Sequence, residues 1–168
     1  MRLRPIEPED LDLLYSIEND PSLWHVSNPE APYSRYQLKQ YLAHRQSIFA
    51  CGELRLVIEV TDDEHSAPTA IGLLDLTNFS PTASRAEVGI ALLKAYRGRN
   101  LSTKALNLCE QLFVERLRIH QLYAYIPTFN APSLATFSRA GYRRVAILAD
   151  WVYADGRYHD AALLCKVF

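Results

Sequence analysis

Apolar residues fall on alternate positions at Val88, Ile90 and Leu92, give way to a polar stretch from Lys94 to Asn100, and return at helical spacing at Leu101, Ala105, Leu108, Leu112 and Phe113. That succession predicts a strand over Arg85 to Leu92, a tight turn, and a helix over Leu101–Leu117. The same two periods run through the rest of the chain. Leu3 to Ile6 reads as a short strand, and Pro8-Glu9-Asp10 as the first turn of a helix that Asn19-Asp20-Pro21 ends. Ser22 to Tyr33, with its tryptophan and prolines, reads as an irregular loop. Ser34 caps a second helix, Arg35 to Gln46, with Tyr36, Leu38, Tyr41 and Leu42 turned inward.

Leu54 to Val60, Thr69 to Thr77 and Arg85 to Leu92 are three strands joined by a polar loop, Thr61 to Pro68, and a turn, Asn78 to Thr82. Short turns of this kind favour antiparallel pairing. Gln121 to Ile126 follows the long helix as a strand, and a strand–helix–strand unit favours a parallel, right-handed crossover. Asn130 caps a short helix, Ser133 to Arg139, which Gly141 closes. Arg143 to Tyr153 and Arg157 to Val167 are the last two strands, joined by Asp155-Gly156, a strong hairpin signal. The reading is a single α+β domain over residues 1–168, its sheet mostly antiparallel with one parallel junction in the middle. The closing hairpin leaves an edge strand through which copies of the chain could form a homo-oligomer.

The turn before the long helix carries the first candidate chemistry. Unpaired amides at a helix N-terminus suit a phosphate, and the helix dipole adds to them. Arg97 and Arg99 flank that turn with fixed charge. An ordinary strand–loop–helix connection with solvated arginines fits the same residues. Composition narrows the classes. A formal net charge of −1 and a pI near 6.5 give no basic excess for nucleic acid or an anionic membrane. No apolar run is long enough to cross a bilayer, and Met-Arg-Leu-Arg-Pro is no signal peptide. Cys51, Cys109 and Cys165 lack metal-site spacing and fit buried thiols of a cytoplasmic protein. The five histidines do not cluster, so no metal is expected.

The order of elements, with Arg97-Gly98-Arg99-Asn100-Leu101-Ser102 at the turn, resembles the GNAT superfamily of acyl-CoA-dependent N-acyltransferases. The family turn reads Gln/Arg-x-x-Gly-x-Gly/Ala, and here Asn100 and Ser102 stand at its two small positions. Gly72-Leu73-Leu74-Asp75-Leu76, Arg85-Ala86-Glu87-Val88-Gly89-Ile90, the stretch Asn130 to Tyr142 and Asp155 to Ala161 resemble the branch of spermidine and ribosomal-protein acetyltransferases.

The resemblance implies a GNAT-type sheet with helices on both faces, a splayed central strand pair, and acetyl-CoA as co-substrate. It places the pantetheine arm along Ile90, Ala91 and Leu92, and the pyrophosphate on the amides of Arg97, Gly98, Arg99, Asn100, Leu101, Ser102 and Thr103. Asn130, Ser133, Phe137 and Arg139 line the far side. Glu87 is the candidate base, with a surface carboxylate in an ion pair as the alternative. Phe137 stands where the polyamine branch resembles a tyrosine acid, and it has no proton to give. No other acid is assigned. Trp24, Tyr33 and Asp75 are candidate contacts for the acceptor, and Glu18, Asp20, Glu30 and Asp75 could attract a cationic amine. The function expected is acetylation of a small primary amine, a polyamine such as spermidine first. Protein N-terminal acetylation and a non-catalytic acyl-CoA-binding module remain as alternatives.

Overall fold

The computed structural model describes residues 1–27, 31–44, 47–61 and 67–168, with the side chains of residues 25–27 left aside. Among the described residues seven strands form one sheet: β1 (Arg2–Pro5), β2 (Leu54–Val60), β3 (Thr69–Ser80), β4 (Arg85–Leu92), β5 (Gln121–Pro127), β6 (Arg143–Ala154) and β7 (Arg157–Val167). Their spatial order is β1-β2-β3-β4-β5-β7-β6. Every neighbouring pair is antiparallel except β4 and β5, which are parallel. Among the described residues the helices are α1 (Leu11–Glu18), α2 (Pro21–Ser27), α3 (Arg35–Ala43), α4 (Ile48–Cys51), α5 (Leu101–Leu117) and α6 (Ala131–Arg139). None is long and apolar enough to cross a membrane.

The alternation of β2 to β5 divides their side chains between two apolar layers. On one face Leu56, Ile58, Leu74, Leu76, Val88, Leu92 and Leu122 pack with Leu106, Cys109 and Phe113 of α5 and Phe137 of α6. On the other, Val57 and Leu73 pack with Leu14 and Ile17 of α1 and Leu38 of α3. Helices therefore cover both faces, as the fold reading required.

Gly72 is needed by close approach: a Cβ there would stand 2.4 Å from the Ala91 carbonyl oxygen and 2.4 Å from Leu92 Cδ2. At Asp155 (φ 51°) and Gly156 (φ 79°) two successive left-handed residues make the hairpin turn that joins β6 to β7.

Several expectations need correction. Pro21 opens α2 where an irregular loop was expected; Asp20 Oδ1 accepts from the Ser22 amide at 2.9 Å, so proline and acid begin a helix there. The second helix stops at Ala43 rather than Gln46, and residues 45 and 46 lie outside the described residues. Tyr36 is 69% exposed rather than turned inward. The short α4 was not foreseen, and β3 runs on to Ser80 through an irregularity at Asn78 (φ 51°). Cys51 is exposed and Cys165 only half-buried; Cys109 alone is the buried thiol expected, its pKa pushed up by burial. Much of the Thr61–Pro68 loop lies outside the described residues.

Candidate active site

The slot between β4 and β5 follows from where their ladder stops. The two strands pair at Arg85↔Gln121, Ala86↔Leu122 and Glu87↔Tyr123, and no further. Beyond that point β4 keeps its partner β3 as far as Leu92, and β5 keeps β7 as far as Pro127. The gap opens into a cavity of about 250 Å³ lined by Val88, Gly89, Ile90 and Ala91 on one side and Ala124, Tyr125, Ile126 and Pro127 on the other. Asn130, Ser133 and Phe137 of α6 line it as well. Asn130 caps α6, its Oδ1 accepting from the Ser133 amide at 3.2 Å, and Phe137 is 2% exposed with its ring 5.0 Å from that of Tyr142. The backbone edges of an open ladder lack partners and suit an amide-bearing arm laid between them.

A second cavity, about 340 Å³, lies where Leu92 gives way to the turn. Gly98, Asn100, Leu101, Ser102, Pro132, Ala135, Thr136 and Arg139 line it. Gly98 is left-handed (φ 76°), and Asn100 is left-handed (φ 58°) as the N-cap of α5. The Asn100 side chain makes no cap bond, and the Lys104 amide bonds back to the Asn100 carbonyl at 3.4 Å. The amides of Leu101, Ser102 and Thr103 open the helix with no carbonyl one turn earlier to receive them. A 17-residue helix focuses its dipole on them, and Arg139 adds a full charge beside them. Asparagine at the first small position of the turn thus takes the left-handed backbone that glycine would take.

The arginines of the turn divide. Arg97 is committed inward: its Nε donates to the Leu92 carbonyl at 2.8 Å, Nη1 to Ser22 Oγ at 2.9 Å and Nη2 to Asp20 Oδ2 at 2.7 Å. Its amide is taken as well, donating to the Lys94 carbonyl at 3.3 Å. This corrects the expectation of a free guanidinium flanking the turn. Arg99 is exposed, its guanidinium carbon 5.6 Å from the centre of the Tyr96 ring. Thr103 is buried, and its Oγ1 has no hydrogen-bond partner.

At the other end, the first cavity meets α1 and α2 through Ile17, Glu18 and Leu23, and β2 and β3 through Arg55, Leu73 and Asp75. Arg55 Nε and Nη2 grip the two oxygens of Asp75 at 2.6 and 3.0 Å, and Nη1 reaches Glu18 Oε1 at 2.7 Å. Although burial opposes its charge, the two carboxylates hold the guanidinium protonated, its pKa raised. Two carboxylates against one guanidinium leave the cavity one negative charge.

Of the expected acceptor contacts, Asp75 is therefore in the cavity but paired. Asp20 is also paired, to Arg97. Trp24 and Tyr33 do not line the cavity: the Trp24 indole N–H donates to the Glu18 carbonyl at 3.3 Å, and the Tyr33 backbone is held by the side chain of Asn19. Glu30 lies outside the described residues. Glu87 sits half-buried on the last paired rung, just before the slot opens, where Oε2 accepts from Asn78 Nδ2 at 2.9 Å. The Tyr123 phenol beside it is held above its usual pKa, by burial first and then by the Glu87 charge. Among the described residues no three His, Cys, Asp or Glu side chains are grouped to hold a metal.

Sequence reasoning missed Arg55 and Tyr125. Arg55 had a signal, being one of two charges, with Glu59, in an otherwise apolar strand and therefore in need of a partner.

Residues 1–143 match the family model described as acetyltransferase (GNAT) domain. The spermidine N(1)-acetyltransferase of Escherichia coli strain K12 is 26% identical, the match covering 98% of this chain and 84% of that protein. An uncharacterized N-acetyltransferase, p20 of Bacillus licheniformis, is 22% identical over 95% of this chain and 88% of its own length. The solved structure of spermidine N-acetyltransferase from Vibrio cholerae in complex with CoA and spermine superposes with a TM-score of 0.87 at 21% identity, covering 99% of this chain and 94% of that one. With a splayed parallel pair, an open helix N-terminus beside it and a family model spanning most of its length, the chain belongs to the GNAT acetyltransferases, which use acetyl-CoA as co-substrate.

Proposed function

We propose that residues 1–168 act as one domain that transfers an acetyl group from acetyl-CoA to a primary amine of a polyamine such as spermidine. The observation that carries this reading is the cavity that begins where β4 and β5 part and ends at the Glu18–Arg55–Asp75 cluster with one negative charge in excess. Its β-strand walls suit the pantetheine arm, and its acidic end suits a cation. The polyamine specificity named for the Escherichia coli relative supports the choice of acceptor.

In this reading the backbone of Ile90, Ala91 and Leu92 holds the arm, although the Leu92 carbonyl already accepts from Arg97. The amides of Gly98 to Thr103 hold the diphosphate, with Arg139 beside them. Asn130, Ser133 and Phe137 close the far wall. The acceptor must lose a proton to become nucleophilic. Glu87, at the closed end of the slot, takes it directly or through water. Bound acetyl-CoA supplies the activated acyl group: a nitrogen–carbon bond forms, the carbon–sulfur bond breaks, and the thiol leaves. Phe137 donates nothing to the leaving sulfur, so its proton comes from solvent or from the acceptor through the base. Assembly as a homo-oligomer belongs to the same reading, since β6 is one of the sheet's two edge strands and one of the Vibrio cholerae structures is described as a dodecamer.

A thermal-shift measurement with acetyl-CoA, followed by free-thiol release over polyamines, monoamines and N-terminal peptides, tests the proposal. Stabilisation by acetyl-CoA and thiol release with spermidine are expected. Stabilisation without thiol release from any amine would make this a binding module. Release with peptides alone would make it an N-terminal acetyltransferase.

A further inference from the structure

Tyr125 lines the first cavity and is 37% exposed. The indole of Trp151 lies over it, ring centres 5.6 Å apart and planes tilted 33°. Tyr123 meets the same ring edge-on at 5.5 Å. Trp151 is itself 55% exposed, so burial in the core does not account for it.

Its position is set by an irregularity in β6. The β6–β7 ladder passes from Leu148↔Ala161 to Val152↔His159, so four steps along β6 face two along β7. Asp150, in the left-handed region at φ 51°, lies inside that bulge and donates its amide to Asp160 Oδ1 at 3.1 Å. Bulges re-aim side chains and gather beside functional sites. Here the bulge delivers a large aromatic ring to the residue at the mouth of the slot, and it brings two carboxylates, Asp150 and Asp160, to the same stretch of hairpin. The cavity behind has its own excess of one negative charge. A half-exposed π face, next in the chain to Asp150 and seated at the mouth of a cavity with an acidic excess, is a receptor for an ammonium and the methylenes next to it.

We propose that Trp151, seated on Tyr125, is a specificity-determining residue. It takes the non-reacting ammonium of the acceptor, so that the enzyme selects amines carrying a second positive charge some methylenes away from the nitrogen acetylated. This rests on the polyamine reading above and adds to it the group that measures the far end of the substrate.

The test compares spermidine with n-butylamine, which has no second charge, in the full chain and in Trp151→Leu and Trp151→Phe variants. Trp151→Leu should raise the KM for spermidine about ten-fold, the size of a partly desolvated cation–π contact, with kcat unchanged. The kcat/KM for n-butylamine and the KM for acetyl-CoA should not move. Trp151→Phe should restore most of the spermidine KM. An unchanged spermidine KM in Trp151→Leu overturns the assignment while leaving polyamine acetylation standing. Equal losses for both amines, with a smaller mass by light scattering, also overturn it, by making the indole a contact between copies. Absence of thiol release with any polyamine in the unaltered protein removes the polyamine reading and this assignment with it.

Discussion

Replacing Arg55 with leucine separates what the cationic centre of the cavity does for stability from what it does for binding. Three donors of one guanidinium hold Asp75 and Glu18 at 2.6, 3.0 and 2.7 Å, and the three side chains are only 19%, 27% and 21% exposed. Removing one member of a buried pair costs about 3–5 kcal/mol, because the partner charges stay behind. Residual solvent at this mouth places Arg55→Leu at the low end, about 3 kcal/mol, out of a typical total of about 5–15 kcal/mol.

The two carboxylates are on neighbouring elements and would face each other across the space the guanidinium leaves. Their mutual repulsion adds to the loss. At a urea slope of about 1–3 kcal/mol per molar, the midpoint should fall by about 1–3 M at pH 7. Binding should move the other way. With the cation gone the cavity carries two negative charges, and the amine KM should fall several-fold at low salt, an effect that added salt removes. Urea titrations at pH 7, with amine KM measured at two ionic strengths, give both readings. A loss below about 1 kcal/mol would refute the claim that these charges are held out of water.

Three further outcomes are expected. Glu87→Gln should lower kcat about 10²-fold or more and flatten the acid limb of the pH–rate profile, as loss of a general base does; unchanged turnover and profile would remove Glu87 from the mechanism. Phe137→Tyr puts a hydroxyl at the cavity wall, and single-turnover kinetics should show faster thiol release if protonation of the leaving sulfur is limiting; equal rates would show that it is not. Asp10 and Glu59 are buried carboxylates whose burial alone would raise their pKa values, but hydrogen bonds from Arg4, joined by the Glu7 amide at Asp10 and by Arg2 at Glu59, bring both below the ordinary range. The stability they contribute is present above the unfolded-state values near 4 and is lost as pH falls through the lower folded-state values, so urea midpoints should drop steeply below about pH 4 and less steeply in Arg4→Leu.

What the sequence revealed depended on how far apart the causes lay. Leu54–Val60, Arg85–Leu92, Leu101–Leu117 and Arg157–Val167 begin and end where their own patterning says they should, because alternation, helical spacing and Asp155-Gly156 are local signals. The turn at Gly98–Asn100 was legible for the same reason. Asn19-Asp20-Pro21 was ambiguous, since the residues that stop one helix also cap and open the next, and α2 was lost on that account. Tyr36 has helical spacing without burial, because spacing names a face and not what covers it. Arg55 meets Glu18 across 37 positions of sequence and Asp75 across 20, so the pairing that removes Asp75 as a free contact for a cation belongs to the fold alone.

The side chain of Arg97 reaches from the end of β4 to the start of α2. One of its nitrogens is fastened to the last residue of β4, another to Ser22, and a third to Asp20, whose own carboxylate opens α2. The loop that would cradle the diphosphate and the helix that borders the acceptor's end of the cavity are thus riveted together by a single planar cation. Neither can slide past the other without breaking the two bonds to Ser22 and Asp20, so in the proposed reading a donor arriving at the turn would bear on the helix beside the acceptor's end of the cavity.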